Sequence, residues 1–490
     1  MTKPFKLLKE ELRELIGRLP DFSGIQPLYL VGGSLRDRIL GRPSKDYDFV
    51  VPANARAFAQ NVAVKHGSRV IEMGKAKRAV FRVVSGDKVL DFSPLYGSCI
   101  DDDLMNRDFT INGLGFDLSS EKLIDPAGGR HDIASGTIRL ISDEAILADP
   151  VRMLRAFRLG AALCFDIAPK TLCAIADQVP LLARSAGERI KSEFFGLVEA
   201  KRSFPYLRQM SEVGLLGQVI PELESCRDCP PDGGEQNIFE HLIRAYEEME
   251  TLLGKYPSIW PEYAEPMQQY LEQDNRKTLL KAAALFHDLG KPLTYCRDNT
   301  GKVRYLRHED KGALVVTDLC TRLRMSGRER SYLHLIVRNH LHPLHLFDAR
   351  QRGVLTKKGV VRFFTRYQDD ALGLLLHSLA DQQAKIANDN KSDQRFVAFL
   401  DEIFQRYFNE FKPTSTAPKL ISGKDLIVHF GLVPSKLFGR LLHSVEEARL
   451  NGQIKTRKEA LDLVAGLLRL EGDAGIEPAT PSSGGLCSIR

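Results

Sequence analysis

The stretch that decides the fold of this chain reads Tyr29-Leu-Val-Gly-Gly-Ser-Leu-Arg-Asp-Arg-Ile-Leu-Gly-Arg-Pro-Ser-Lys-Asp-Tyr-Asp-Phe-Val50. The apolar run 28–31 predicts a strand that stops at two glycines, and residues 34–40 predict a short helix that ends before Gly41 and Pro43. A second strand follows and carries two aspartates. The order strand, glycine turn, short helix, acidic strand predicts how the N-terminal part of the chain folds.

The residue types in this stretch suit phosphate chemistry. Asp46 and Asp48 are two residues apart on the predicted strand, so both carboxylates point to one face. Two carboxylates repel unless a cation lies between them, and oxygen ligands of this kind suit Mg²⁺. Gly32 and Gly33 lack a Cβ, so backbone N–H groups can approach a triphosphate closely, near the guanidinium of Arg36. Together these parts are typical of a nucleotidyl-transfer site, although each alone also occurs as a solvated strand edge or an ordinary turn.

The ordered combination resembles the nucleotidyltransferase head of the bacterial tRNA nucleotidyltransferase and poly(A) polymerase family, whose pattern is Gly-Gly-x-x-Arg-Asp followed by Asp-x-Asp. The resemblance covers residues 25–470 and implies an α/β polymerase-like nucleotidyltransferase head followed by an all-α neck, an HD domain and a tail. We place the boundaries at 25–140 for the head, 141–225 for the neck that binds the base and RNA, 235–400 for the HD-type phosphohydrolase domain, 415–470 for the tRNA-binding tail and 471–490 for a disordered end.

The length, charge and composition of the chain are compatible with this predicted domain organisation but do not establish it. A chain of 490 residues is long enough for three or four domains, and a net charge of +6 permits a polyanionic partner. There is no run of 18 apolar residues and no secretory pattern at the start, so we expect a cytoplasmic protein without a membrane partner. Residues 5–19 predict an amphipathic packing helix. The eight cysteines include one Cys-x-x-Cys, Cys226 with Cys229, but no second pair at zinc-site spacing, so we expect reduced thiols.

Two further segments of the head match the family. The predicted strand 88–92 places Asp91 where the family supplies a third catalytic carboxylate; the alternative is a strand-end aspartate that faces water. Arg107, Asp108 and Asn112 match the stretch Arg-Arg-Asp-Phe-Thr-x-Asn-Ala, which in the family binds the sugar of the nucleotide. Aspartate and asparagine side chains can accept from and donate to vicinal hydroxyl groups. Without the resemblance, Arg107 and Asp108 would be interpreted as a surface ion pair.

Residues 148–159 predict the start of a long helix in the neck. Asp149 followed by Pro150 is a complete N-cap signal, which gives a purely structural interpretation. Further along, residues 187–193 match the family's Glu-Arg-x-x-x-Glu element, which braces the neck, and we assign it no catalytic role.

The same neck segment also has a functional interpretation. Arg152 is three residues after Asp149 and is predicted to lie on the same side of the helix. An aspartate acceptor beside an arginine donor complements the pairing edge that cytosine and adenine share, and it mismatches uracil and guanine. The pair matches the family's Glu-Asp-x-x-Arg motif, with Ala148 in place of the glutamate. Arg155 and Arg158 continue this basic face toward the triphosphate of the nucleotide.

The second half of the chain is predicted to be all helical and carries a second set of ligand-type residues. Their order resembles that of the HD-type metal phosphohydrolases and implies one divalent metal, of unknown identity, held by His241, His287, Asp288 and Asp381. Such a metal activates water for attack on phosphorus. His308 and His340 are candidates for a second metal. The alternative is a decayed domain whose helices only hold RNA.

The resemblance implies template-independent addition of CMP, with or without AMP, from CTP and ATP to the 3′ end of tRNA. Mg²⁺ would be held by Asp46 and Asp48, and pyrophosphate would leave. The alternatives are a poly(A) polymerase and a phosphohydrolase that acts on phosphorylated RNA ends; the intact aspartate pair argues against the latter. In the tail, basic residues would contact RNA phosphates, although solvated helix ends are the alternative: Lys424, Lys436, Lys455, Arg457 and Lys458.

The length of one connection predicts where addition stops. Family members that build the whole C-C-A end carry a flexible loop between the palm strand and the Arg-Asp-Phe-Thr stretch. Here only residues 93–100 lie between the predicted strand and the next element, which is short for a lever. We therefore predict an enzyme that adds C-C and transfers the terminal A poorly, unless another loop, such as residues 72–77, does the switching.

Overall fold

The computed structural model describes residues 27–52, 54–74, 79–230, 237–385 and 390–473. The described residues divide into two compact units, one formed by residues between 27 and 230 with 237–239 and 315–330, the other by residues 240–314 and those between 331 and 473. The four-part division made from the sequence is finer than this and stays a prediction. The predicted helix over 5–19 lies outside the described residues, as does 474–490, whereas residues 471–473 belong to a helix and the prediction of disorder was wrong for them.

A seven-stranded mixed sheet is the centre of the first unit, with strand order β3-β4-β5-β2-β1-β6-β7. Strands β2 and β5 pair in parallel, whereas the other neighbours in this sheet are antiparallel. The strands are β1 Tyr29–Val31, β2 Asp46–Val51, β3 Val70–Met73, β4 Val80–Ser85, β5 Lys88–Pro94, β6 Gly115–Asp117 and β7 Lys122–Ile124. The predicted strands are confirmed, but the sequence analysis did not identify β6 and β7, which have three residues each and lack a continuous apolar run such as that of β1.

Four helices accompany this sheet: α1 Gly33–Ile39, α2 Ala55–Lys65, α3 Ile100–Met105 and α4 Gly129–Ser135. Helix α2 begins after Asn54, whose side chain accepts a hydrogen bond from the backbone N–H of Ala57 at 3.0 Å. The helix packs on the sheet through Phe58, whose ring centroid lies 5.3 Å from that of Phe92, and Phe92 in turn stacks on Phe49. This aromatic core fixes β2 and β5, the strands that carry the aspartates.

The neck consists of short helices and a two-stranded parallel pair, β8 Thr137–Ile138 with β9 Asp166–Ile167. Its helices are α5 Glu144–Ala148, α6 Arg152–Leu163, α7 Pro169–Gln178, α8 Gly187–Glu199, α9 Phe204–Glu212 and α10 Leu215–Val219. The prediction that Asp149 caps a helix was wrong, because α6 begins at Arg152 with Val151 as its N-cap and no side-chain cap bond. Asp149 instead follows α5 in an extended conformation, with φ −155°.

The second unit is mostly helical but includes a hairpin, β10 Tyr295–Arg297 with β11 Val303–Tyr305, so the all-helical prediction was wrong there. Helices α14 and α15 have residues in both units. The helices are α11 Ile238–Ile259, α12 Ala264–Glu272, α13 Arg276–Phe286, α14 His308–Arg322, α15 Gly327–Asn339, α16 His342–Gln351, α17 Lys357–Tyr367, α18 Asp370–Lys385, α19 Asn390–Arg406, α20 Lys412–Thr416, α21 Gly423–Phe430, α22 Lys436–Leu450 and α23 Arg457–Asp473. Among the described residues, no helix is both long enough and apolar enough to cross a membrane.

Candidate functional sites

The glycine turn after β1 lies against the acidic strand. Val31 is the register partner of Asp48, so Gly32 comes next to that carboxylate. Gly32 has φ +78°, a backbone conformation that favours glycine. A Cβ there would also lie 3.0 Å from Nη1 of Arg107 and 3.2 Å from Oδ2 of Asp48. Both the conformation and the close approach therefore require glycine at this position.

Three carboxylates gather on neighbouring strands. Asp46 and Asp48 are exposed while Tyr47 between them is buried, and Asp91 on β5 is the register partner of Asp48. Desolvation raises the pKa of Asp48, as do the charges of Asp91 and Asp46, while Arg107 opposes the shift. A crowded set of carboxylates, in which the charges of two neighbours raise the pKa of Asp48, fits a divalent cation in chemistry.

Asp91 does not face water at a strand end, so that alternative was wrong. It lies within β5, and both of its oxygens accept hydrogen bonds from Arg82 on β4, each at 2.8 Å. Arg82 therefore neutralises the third carboxylate and fixes its orientation next to the other two.

An open cleft of about 380 Å³ lies between the glycine turn and β2 on one side and the neck helix α6 on the other. Five of its eleven lining residues are arginines, which favours a polyanionic ligand such as a triphosphate. The lining residues are Gly32, Gly33, Arg36, Asp48, Arg107, Asp108, Asn112, Arg152, Arg155, Arg158 and Leu159. Most of the residues singled out from the sequence thus meet in one place; Asp46 and Asp91 lie beside Asp48 on the sheet, and Asp149 is not among the lining residues.

The predicted sugar-binding residues form a connected hydrogen-bond network. Oδ1 of Asp108 accepts from Nδ2 of Asn112 at 2.9 Å, and Oδ2 accepts from Nη1 of Arg155 at 3.1 Å. Oδ1 of Asn112 accepts from Nη1 of Arg36 at 2.7 Å. Burial alone would raise the pKa of Asp108, but Arg155 and the hydrogen bonds lower it, so the carboxylate stays an acceptor. Arg107 pairs with Asp103 at 3.0 Å, and the surface ion pair with Asp108 was therefore wrong.

Helix α8 contributes two residues to which the sequence analysis gave no nucleotide role. Glu193 accepts hydrogen bonds from Nε of Arg155 at 2.9 Å and from Nε of Arg158. Arg189 donates to both oxygens of Asp149, at 3.0 and 2.7 Å. The signal that could have found them is the spacing of the Glu-Arg-x-x-x-Glu element, whose last two charged residues share one helix face.

The second unit contains a cluster of buried histidines with a defined protonation pattern. Nδ1 lies 2.9 Å from a backbone carbonyl in His287 and in His308, and 2.7 Å from one in His340. A carbonyl oxygen can only accept, so each Nδ1 carries a proton, and Nε2 is the nitrogen whose lone pair the ring can offer to a cation. Histidines that bind a metal through Nε2 usually donate Nδ1–H to a carbonyl oxygen in this way, which fixes the orientation of the ring.

These Nε2 atoms converge in two groups. Nε2 of His241 lies 3.2 Å from Nε2 of His287, and both lie within 3.3 Å of Oδ1 of Asp381. Nε2 of His308 lies 3.3 Å from Nε2 of His340. His308 and His340 both carry the proton on Nδ1, so their facing Nε2 lone pairs repel unless a cation lies between them. The ligands predicted from the sequence thus lie together as a metal site would require.

The two aspartates of this cluster complete the fit. Oδ1 of Asp288 and Oδ1 of Asp381 are buried and, within the described part of the chain, have no hydrogen-bond donor. Oδ1 of Asp288 lies 3.2 Å from Nε2 of His308, and Oδ2 lies 3.3 Å from Nε2 of His287, so one carboxylate faces both groups. Buried carboxylate oxygens without donors are the atoms that a divalent cation would satisfy.

Two further features belong to this cluster, and the first of them, His377, was not recognised from the sequence. His377 is 1% exposed, lies four residues before Asp381 on α18 and packs its ring 5.1 Å from that of His287. Gly290 allows a close approach, because a Cβ there would lie 2.1 Å from the carbonyl oxygen of His308. The helical spacing of His377 and Asp381 is the signal that could have drawn attention to the former.

Comparison with known proteins decides the family. The chain is 31% identical over 442 residues to the A-adding tRNA nucleotidyltransferase of Deinococcus radiodurans, across 88% of this chain and 93% of that protein. This chain belongs to the bacterial tRNA nucleotidyltransferase and poly(A) polymerase family. The resemblance inferred from the five sequence motifs is therefore confirmed.

Two further enzymes that act on tRNA match this chain over most of its length and of their own. The CC-adding tRNA nucleotidyltransferase of Thermus thermophilus is 29% identical, across 88% of this chain and 91% of its own length. The Thermotoga maritima CCA-adding enzyme complexed with tRNA superposes with a TM-score of 0.63 at 21% identity, covering 94% of this chain and 96% of that one.

Family models match three segments of this tRNA nucleotidyltransferase family member. They match a poly A polymerase head domain at 28–139, a probable RNA and SrmB-binding site of polymerase A at 164–227, and an HD domain at 238–381. The predicted fold class, a polymerase-like head followed by helices with an HD domain, is confirmed. The head and HD families are both metal-dependent, in agreement with the donor sets described above.

Proposed function

We propose that this protein is a template-independent nucleotidyltransferase that adds CMP from CTP to the 3′ end of tRNA in the cytoplasm. The observation that carries the proposal is the single cleft in which the glycine turn, Asp48, the sugar-binding residues and the neck arginines meet. A polyanionic nucleotide fits this lining, and the neighbouring carboxylates fit the cations that accompany it. A poly(A) polymerase uses the same head and is the alternative within this class.

Each group of residues in and beside the cleft is proposed to contact a different part of the nucleotide. Asp46, Asp48 and Asp91 would hold Mg²⁺, which when bound supplies charge neutralisation for the triphosphate and activation of the attacking hydroxyl. The backbone at Gly32 and Gly33 and the arginines of the cleft would hold the phosphates. Asp108 and Asn112 would meet the ribose, and Asp149 with Arg152 the base. The terminal 3′-hydroxyl oxygen forms a bond to the α-phosphorus as it loses its proton, and the bond to pyrophosphate breaks.

The extent of addition is proposed from the connection between β5 and α3. Strand β5 continues to Pro94, so only residues 95–99 remain before α3. Oδ2 of Asp102 accepts from the backbone N–H of Ser98 at 2.8 Å and of Cys99 at 3.3 Å. Oδ1 of Asp103 accepts from the N–H of Tyr96 at 3.1 Å. A five-residue connection with these bonds cannot act as a flexible lever, so we propose that addition stops after C-C.

The similarity to relatives does not make this choice, because the Deinococcus and Thermus proteins add different nucleotides at 31% and 29% identity. The alternative switching loop, residues 72–77, lies partly outside the described residues.

Product lengths test both parts of the proposal. tRNA that lacks its C-C-A end is incubated with each labelled nucleoside triphosphate separately and then with CTP and ATP together. We expect growth by two nucleotides with CTP and little further growth when ATP is added. Efficient completion of the three-nucleotide end would contradict the C-C proposal but keep the transferase. Long products with ATP alone would instead indicate a poly(A) polymerase.

The histidine cluster supports a second activity. We propose that the HD domain is a metal-dependent phosphohydrolase, with one cation held by His241, His287, Asp381 and Asp288. His308 and His340, on the other side of Asp288, form the ligand set for a second cation. The buried carboxylate oxygens without donors favour this over a decayed scaffold, because a scaffold gains nothing from them. Metal analysis of the purified protein and hydrolysis of a phosphate monoester with Mn²⁺, Ni²⁺, Co²⁺ or Mg²⁺ test it; absence of both would favour the scaffold.

The tail remains a proposed tRNA-binding segment. The five basic residues named from the sequence are all exposed in the structure, as phosphate contacts require. Arg457 also pairs with Asp425 at 2.6 Å, so its charge is partly compensated.

A further inference from the structure

Helix α8 presents two charged side chains, one turn apart, to the two halves of the nucleotide site. Arg189 bonds to Asp149, the proposed base-reading residue, and Glu193 bonds to Arg155 and Arg158, the proposed phosphate-binding residues. Residues four apart lie on one side of a helix. One face of α8 therefore contacts both the residue proposed to bind the base and the residues proposed to bind the phosphates.

The position of Asp149 makes its side chain depend on a partner. It lies between α5 and α6 in extended conformation, so neither helix fixes the direction of its carboxylate. The two hydrogen bonds from Arg189, at 3.0 and 2.7 Å, form a planar fork that sets both position and rotation of the carboxylate. A carboxylate has about four lone-pair directions, so this fork leaves acceptor capacity for the amine of a base.

Arg189 also favours the ionised form of the Asp149 carboxylate, which can only accept hydrogen bonds. Burial alone would raise the pKa of Asp149, but the hydrogen bonds and charge of Arg189 lower it, with smaller help from Arg152 and Arg155. An ionised carboxylate can only accept, which suits the amines of cytosine and adenine. A protonated carboxyl could donate to the carbonyl oxygen of uracil, so loss of ionisation would weaken discrimination.

Glu193 holds the two arginines that are proposed to bind the phosphates, Arg155 and Arg158. It is 7% exposed, and its two oxygens accept from two different arginines that would otherwise repel each other. Burial alone would lower the pKa of Arg155, but the charges of Asp108 and Glu193 raise it, so the guanidinium stays charged. Gly196, one turn before the end of α8, leaves room for the stem of Arg158, because a Cβ there would lie 2.7 Å from its Cδ.

We propose that Arg189 is a positioning residue that determines nucleotide specificity through Asp149, whereas Glu193 positions Arg155 and Arg158 and determines affinity for the triphosphate. The two functions are separable although the residues share one helix face. This inference rests on the proposed function of the cleft.

The test compares variants of full-length protein on tRNA that lacks its 3′ end. The values kcat and KM are measured with CTP and with UTP for Arg189→Gln, Arg189→Lys, Glu193→Gln and Asp149→Ala. Glu199→Gln, at an exposed glutamate that ends the same helix and lies outside the Glu-Arg-x-x-x-Glu element, is the matched control. Thermal melting of each variant reports whether the neck remains folded.

We expect Arg189→Gln to lower the CTP-to-UTP ratio of kcat/KM roughly tenfold, because one fixed acceptor direction is lost. Arg189→Lys keeps the charge but not the fork, so it should recover only part of that ratio. Glu193→Gln should raise KM for both nucleotides by about the same factor and leave the ratio unchanged. Glu199→Gln should change neither quantity.

The outcomes separate this inference from the proposed function. If Arg189 variants lose activity equally with both nucleotides while Asp149→Ala changes the ratio, Arg189 is only a structural brace and the inference is overturned. A changed ratio in Glu193→Gln would overturn the division of roles. If Asp149→Ala leaves the ratio unchanged, base reading by Asp149 is itself wrong. Absence of any transfer by the wild-type protein would overturn the proposed function.

Discussion

Asp48 on β2 lies directly opposite Asp91 on β5, where the two strands pair in parallel. The residues are 43 positions apart in the chain, and the strand register alone brings them together. Because Arg82 pairs with Asp91, the two carboxylates are not equivalent: Asp48 faces the cleft, and Asp91 is held from the side. The pairing of β2 with β5 therefore brings the carboxylates of the acidic site together, and Arg82 fixes the orientation of the Asp91 carboxylate.

Replacing either aspartate of β2 should stop transfer. We expect Asp46→Asn and Asp48→Asn to lower the single-turnover rate by at least about 100-fold, because cation-binding carboxylates act on the chemical step. Binding of tRNA in a gel-shift assay should change little, since distributed phosphate contacts supply most of it. Asp87→Asn, at an exposed position between β4 and β5, is the control and should remain active. More than a few per cent of the wild-type rate in both variants would contradict the assignment.

Nucleotide choice should depend on the base-reading pair. Asp149→Ala and Arg152→Ala should each admit UTP or GTP, with roughly 1–3 kcal/mol of discrimination lost per residue. The measurement is kcat/KM for the four nucleotides on the same tRNA. Asp143→Asn, at an exposed position just before α5, should leave the order of preference unchanged. Selectivity equal to that of the wild type in both variants would place base reading elsewhere in the cleft.

The histidine cluster should bind metal independently of nucleotide addition. We expect His287→Ala combined with Asp288→Ala to reduce the bound divalent metal measured by mass spectrometry and to abolish phosphate-ester hydrolysis. Addition of CMP should persist, because the two sets of ligands belong to different units. His345→Ala removes an exposed histidine from α16 and serves as the control. Equal metal content in the double variant and the wild type would contradict the site.

The stability of the first unit should depend on pH through Asp132, a buried residue of α4. Its carboxylate accepts from Oγ1 of Thr110 at 2.6 Å and from Arg139 at 2.9 and 3.2 Å. Burial alone would raise the pKa of Asp132, but these partners lower it in the folded state. The resulting stabilisation is thus present above the pKa of the unfolded chain, about 4, and is lost as pH falls through the lower folded value.

Denaturation by urea at neutral and acid pH measures this contribution. Asp132→Asn should lower the free energy of unfolding by about 1–3 kcal/mol at pH 7. The difference from the wild type should shrink as pH falls from about 5 toward 2, because the wild-type carboxylate then becomes protonated as well. Asp177→Asn, at an exposed position of α7, is the control. A difference that stays constant over this range would show that Asp132 is not an ionised partner.

Local patterns in the sequence were sufficient where one segment makes the structure by itself. The glycine turn with α1 and the strand of Asp46 and Asp48 were predicted within about two residues of their bounds, because apolar period, glycine and proline act locally. The N-cap assigned to Asp149 fails for the opposite reason. Asp149–Pro150 satisfies every local rule, but the ion pair with Arg189, 40 residues away, engages the carboxylate instead.

The sequence by itself determined the chemistry of this protein: which residues can carry phosphate, sugar, base and metal, and in what order they occur. These follow from side-chain type and short spacing, which are properties of the chain alone. The tertiary structure decided which of them act together. Asp91 meets Asp48 through strand register, Arg155 is shared by Asp108 and Glu193, and Asp288 turns one oxygen toward each group of histidines. Such long-range pairs depend on packing between segments far apart in the chain, because hydrogen bonds and ion pairs act over only a few ångströms in space.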